Sequence, residues 1–182
     1  MLALLLLLPF LANASPLDGA WHTSCAQNVI REEKFQDTTV SLFEKNFKDA
    51  FCAIPSLEIE SMGSFELDAI SLPKYHAIDF HFQAVFLTLH SLEAVSFYKR
   101  SGMCGFSDWA LDARREITGL ACDFFATGSP VHVPKQNDGR FGIYELSGEQ
   151  LFFGALTPWQ NGLSESTRPT TLELNPYWKL AE

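Results

Sequence analysis

The stretch Ile78-Asp79-Phe80-His81-Phe82-Gln83-Ala84 alternates apolar and polar side chains almost without a break. A period of two puts Ile78, Phe80 and Phe82 on one face of an extended chain. It puts Asp79, His81 and Gln83 on the other, which reads as a strand with one buried face. From Val85 to Leu89 the sequence turns apolar on both faces, as expected where a strand passes beneath a second layer. Phe86 continues the even-numbered set, so Ile78, Phe80, Phe82 and Phe86 are expected to share one apolar face.

The same pattern recurs in short pieces. Strands are expected at Val29–Phe35, Thr38–Phe43, Leu57–Ile59, Ser64–Leu67, Val95–Tyr98, Phe141–Leu146, Gln150–Gly154, Thr171–Leu174 and Tyr177–Leu180. Turn signals separate them: Met62-Gly63, Asn137-Asp138-Gly139, Ser147-Gly148 and Asn161-Gly162. Short strands joined by frequent turns predict an all-β fold, an antiparallel barrel or half-barrel. The chain is 47% apolar and includes 16 Phe, enough for a real core and too much for a disordered chain. One segment breaks the pattern. Ser107 to Glu116 reads as a short helix, with Ser107 as its cap, Asp108 in its first turn and Gly119 as its stop.

The N-terminus reads as an address. Leu2 to Leu8 is almost pure leucine, Pro9-Phe10-Leu11 follows, and Ala12-Asn13-Ala14 has the small-x-small pattern of a cleavage site. The run is shorter than the ~20 apolar residues that a spanning helix needs. Residues 1–14 are therefore expected to be a signal peptide and 15–182 a single β-barrel-like domain, secreted or held in the periplasm or cell envelope. Four cysteines in an exported chain read as two disulfides. Three connectivities are possible. Neighbour pairing, Cys25 with Cys52 and Cys104 with Cys122, closes the shortest loops, and the second pair would bracket the expected helix. A four-cysteine metal site is the rival, but it lacks any Cys-x-x-Cys spacing.

Composition and motifs exclude several function classes. A net charge of −9 without a basic block argues against nucleic acid as a partner and against electrostatic docking on anionic lipid. The sequence holds no His-Glu-x-x-His, no Gly-x-Ser-x-Gly elbow and no phosphate-binding glycine loop. Asp79 and His81 share a strand face, where polar residues are expected in any case. No catalytic residue, cofactor or metal is expected.

Several segments resemble known families. Gly19-Ala20-Trp21 before the first strand is similar to the opening of lipocalin-like barrels. There the Trp closes one end, and a late arginine, here Arg168, packs across it. Trp21…Cys25, Phe51-Cys52 with Pro55, and Gly63-Ser64-Phe65 resemble the adenomatosis-polyposis-coli down-regulated domain of secreted or membrane-tethered proteins. Cys104-Gly105-Phe106-Ser107-Asp108-Trp109, Ile117-Thr118-Gly119…Cys122, Ile143-Tyr144-Glu145-Leu146-Ser147-Gly148, Leu151-Phe152-Phe153-Gly154 and Arg168-Pro169-Thr170 resemble a family of small exported bacterial proteins, many of them lipoproteins of unknown function. The chain lacks the lipidated cysteine of those lipoproteins. The resemblance implies a lipocalin-like barrel or half-barrel and, from the eukaryotic relatives, an apolar cavity for lipid. It brings no catalytic residues.

The functional expectation is an exported, non-enzymatic binding protein for a lipid or other apolar small molecule. The apolar ligand-facing residues would be Ile78, Phe80, Phe82, Phe86, Phe141, Ile143 and Phe153. The alternative is a structural or envelope-associated interaction module, in which the same rings simply fill the core. The address itself is open to a direct check. N-terminal sequencing of the protein recovered outside the cytoplasm should begin at Ser15, and a form that keeps Met1 would contradict the signal peptide.

Overall fold

The computed structural model describes residues 15–71, 75–124 and 126–181. The expected signal peptide lies outside them. The elements are β1 (Gly19–Thr23), β2 (Val29–Gln36), β3 (Thr39–Phe47), β4 (Pro55–Ser71), β5 (His76–Leu89), α1 (Leu92–Ser101), β6 (Arg115–Glu116), β7 (Ala121–Cys122), β8 (Val131–His132), β9 (Gly139–Ser147), β10 (Gln150–Phe153) and β11 (Tyr177–Lys179). Strands β1, β2, β3, β4, β5, β9, β10 and β11 pair in that order, and β11 returns to β1. All of these pairings are antiparallel. The result is a closed eight-stranded barrel, so the fold class read from alternation and turn signals holds, and the barrel leaves no open edge among these strands.

The longest pairing, β4 with β5, sets the interior. Leu57 pairs with Leu89, Ile59 with Leu87 and Ser61 with Val85, but Gly63 pairs with Phe82, Phe65 with Phe80 and Leu67 with Ile78. Residues that face each other across an antiparallel pair share a side. The inward set of β5 therefore changes from even numbers (Ile78, Phe80, Phe82) to odd (Val85, Leu87, Leu89). Gln83 is the extra residue of this β-bulge. Sequence periodicity alone carries Phe86 inward. The bulge turns it to the outer face, where the Arg114 guanidinium lies 3.2 Å from its ring centroid.

Met62-Gly63, read in the sequence as a turn, lies inside one continuous strand. Glycine is required there for another reason: a Cβ at Gly63 would sit 2.1 Å from the His81 carbonyl oxygen. Here the two backbones approach closely at the bulge.

Two apolar clusters fill the inward side. Leu17, Trp21, Phe35, Val40, Phe65, Ile78, Tyr144, Leu151 and Tyr177 pack the lower end of the barrel. Trp21 is 1% exposed and donates from Nε1 to the Leu17 carbonyl at 2.7 Å. The second cluster sits where β4 and β5 run past their neighbours. Val85, Leu87 and Leu89 meet Val95 and Tyr98 of α1, with Met103, Trp109, Ile117 and Val133 from the long β5–β9 connection. This connection is the second layer that the apolar Val85–Leu89 run required.

The helix is not where the sequence put it. Val95–Tyr98, read as a strand, belongs to α1. Ser91 caps this helix by accepting from the Ala94 N–H, Glu93 stands in its first turn, Lys99 and Arg100 in its last, and Gly102 ends it in a left-handed conformation with φ 62°. The 107–116 segment instead forms a loop and strand β6. Asp108 pairs with Arg115 at 2.5 Å, Asp112 takes φ 54°, and β6 pairs with β5 at Phe86 and Leu87. Thr171–Leu174 is no strand either; only Leu172 makes a single bridge, to Gly154.

The disulfides are Cys25–Cys52 and Cys104–Cys122, the neighbour pairing. The first ties the β1–β2 loop to the β3–β4 loop. The second ties the end of α1 to β7 and so follows the helix without bracketing it. In the loop-entropy description each is worth ~3–4 kcal/mol, and both fit an oxidising, non-cytoplasmic compartment.

The bulge gives a sharp stability prediction. Gly63→Ala should cost ~1–3 kcal/mol or more by overpacking against the β5 backbone. Urea unfolding measures this, and an unchanged midpoint would contradict the close approach.

Candidate functional site

Above the lower core the barrel leaves a cavity of about 400 Å³. Its apolar wall includes Leu42, Ile59, Phe80, Phe82 and Phe153, with Pro134 reaching in from the β5–β9 connection. The register explains this set. Leu42 pairs with Ser61, and Ser61 and Ile59 stand on the side of β4 that carries Phe65. Phe153 pairs with Tyr144, on the inward side of β9. The rings of Phe80 and Phe153 lie 6.4 Å apart between centroids.

The expected ligand-facing residues separate into groups. Phe80, Phe82 and Phe153 line the cavity. Ile78 is fully buried in the lower core beneath it. Phe141 and Ile143 point outward, because Asp79 and Ala77, their partners on β5, belong to its outer face. They still border the cavity, at the seam where β9 meets Gly154 and Pro169. Ile143 is covered there by the segment that follows β10: a Cβ on Gly154 would lie 2.6 Å from Pro169 Cβ and 2.9 Å from Ile143 Cγ1. Phe86 is excluded from the site by the bulge.

Trp21 is buried in the lower core, and Arg168 does not pack on it. Lys179 Nζ sits 5.3 Å from the Trp21 ring centroid. Arg168 works on the outer wall. Its Nη1 donates to Asp79 Oδ1 at 2.5 Å and to the Gly142 carbonyl at 2.7 Å, which fastens the β10–β11 connection to the barrel. Asp79 is thereby engaged by Arg168, while His81 faces Glu66 at 4.0 Å.

A polar corner of the cavity escaped the sequence reading. On β2, Phe35 pairs with Val40, Glu33 with Leu42 and Arg31 with Glu44, so Arg31 and Glu33 face inward. Both line the cavity, together with Glu44, Glu173 and Tyr177. Arg31 reaches Glu44 from Nε and Glu173 from Nη1, each at 3.4 Å. Glu33 and the Tyr177 hydroxyl are hydrogen-bonded. The Glu33 Oε2 atom is closed off from solvent and has no hydrogen-bond partner. Burial pushes the Glu33 carboxyl up to about 8, against the downward pull of the Tyr177 hydrogen bond and the Arg31 charge; Glu173 adds to the rise. Burial, followed by Glu33, also raises the Tyr177 phenol. Near neutral pH the cavity lining thus carries a protonated carboxyl beside a neutral phenol.

The signal was present in the parity of β2. Val29, Arg31, Glu33 and Phe35 share one face, and the apolar ends of that set mark the two charges between them as inward. No protein-family model matches the chain, and neither does any curated protein.

The raised Glu33 carboxyl makes stability depend on pH. The folded protein keeps this proton up to about pH 8, whereas an unfolded glutamate loses it near 4.5. The folded state therefore binds the extra proton in between, and stability falls as pH rises from about 4.5 to about 8. Glu33→Gln removes that slope. In urea unfolding the two proteins should diverge in favour of the variant across this window, by up to about 1.4 kcal/mol for each pH step of one. Parallel pH profiles would contradict the assignment.

Proposed function

We propose that the protein is an exported, non-enzymatic binding protein whose barrel takes one apolar or lipid-like small molecule. The observation that carries this reading is the cavity of about 400 Å³ walled by Phe80, Phe82, Phe153, Leu42 and Ile59. Small-molecule sites have this size and this mixture of apolar wall with a few polar groups. An eight-stranded barrel has room for one small ligand. Export to the periplasm, cell envelope or exterior agrees with the leucine-rich N-terminus and with two disulfides. The likeness to the adenomatosis-polyposis-coli down-regulated domain points the same way.

A second reading, an interaction module without a small-molecule ligand, is favoured by apolar side chains on the loops. Phe51, Trp159 and Leu174 are 88%, 85% and 95% exposed. Exposed aromatic groups of this kind are common anchors of protein contacts.

A thermal-shift panel of fatty-chain compounds, lysolipids and sterols separates the two. A bound ligand at 100 times its Kd stabilises by about 2.7 kcal/mol, which for a chain of this size is a rise of about 5–10 °C. Phe82→Glu should abolish the shift while the disulfide-stapled barrel still folds. No stabilisation by any compound would leave the interaction module as the better account.

A further inference from the structure

The cavity has a polar end with a definite charge preference. Arg31, whose charge acts on Glu33, is already set between two carboxylates, Glu44 and Glu173. Arg140, the other cation on the wall, donates from Nη1 to the Asn161 carbonyl at 2.8 Å. Lys179 lies across Trp21. Glu33 itself has one oxygen without a partner, and Tyr177 accounts for its hydrogen bond within the fold. The cavity that Glu33 lines is also lined by the rings of Phe80, Phe82 and Phe153, whose faces attract cations.

We propose that the ligand of this cavity is an apolar molecule headed by a protonated amine, and that Glu33 is its counter-ion. This rests on the reading of the cavity as an apolar-ligand site and adds the chemistry of the head group. In the empty protein Glu33 is neutral, and a lone carboxylate there would be a poorly solvated charge. An entering ammonium group supplies the missing charge partner and the missing donor together. The Glu33 carboxyl then releases its proton, and the site holds an ion pair walled by aromatic rings. A fatty carboxylate brings the opposite charge to a site that holds Glu33, Glu44 and Glu173, with Arg31 already shared between the last two.

The proton release gives the proposal its signature. Below about pH 8 amine binding must displace the Glu33 proton, so affinity should rise with pH by up to about tenfold per unit and level off above that value. The test is calorimetric titration of the whole protein with decylammonium, decanol and decanoate, each below its aggregation concentration, between about pH 6 and about pH 9. Decylammonium should bind at least about tenfold more tightly than decanoate near pH 8. Its affinity should climb with pH in the wild type and stay flat in Glu33→Gln. Should that variant fail to fold, the wild-type pH profile and the amine-to-carboxylate ratio decide by themselves. Decanoate binding as tightly as decylammonium, an amine affinity indifferent to pH, or binding of decanol alone would overturn the amine assignment while leaving the apolar-ligand reading intact. Binding of none of the three would overturn both.

Discussion

The pairing of β4 with β5 is the contact on which the rest of the structure depends. It closes the barrel, and its extra residue at Gln83 decides which side chains of β5 from Val85 onward meet inside. Without the bulge Val85, Leu87 and Leu89 would face outward, and α1 with the β5–β9 connection would lose these three side chains from the surface they cover. The bulge in turn requires the two backbones to approach at Gly63, where no side chain fits. One glycine and one unpaired residue thus link the barrel core to the second core.

The cavity lies between these cores because of what β2 contributes. Where apolar side chains would have let the barrel fill, as they do at the Trp21, Phe35 and Val40 level, β2 places Arg31 and Glu33. Their polar groups are held by Glu44, Glu173 and Tyr177. The Phe80, Phe82 and Phe153 rings on the facing strands line the space, with Phe153 also packed on Phe35 and Tyr177. A ligand seated among these rings gains dispersion contacts with them, which ties the burial of a charged strand face to the proposed binding.

Strand existence was legible because period-two alternation and turn residues are local signals. The Phe141–Leu146 and Gln150–Gly154 hairpin and the Val29–Phe35 strand are readable in this way, and both disulfides are readable from an even cysteine count and the short loops that neighbour pairing closes. The bulge was not. A one-residue slip leaves the local pattern intact and reverses every later side chain, so Phe86 was placed on the wrong face. Phe141 and Ile143 border the cavity from the outer side of β9: both faces of β9 are covered, one by the core and one by the Gly154–Pro169 segment, so hydrophobicity does not tell inside from outside there. The helix was misread because Val95, Phe97 and Tyr98 favour strands by propensity, while the deciding signals, the Ser91 cap and the Gly102 stop, lay at its ends. Glu33 was missed because charged residues are read as solvated until the parity of their strand is fixed from its apolar ends.

The claim that the barrel interior is a ligand site is tested most directly by native mass spectrometry of the protein purified from its own host. The account predicts a species heavier than the disulfide-bonded chain by one small apolar molecule, released on collisional activation. A preparation that flies only at the mass of the polypeptide, with folded charge states and no adduct, would contradict it.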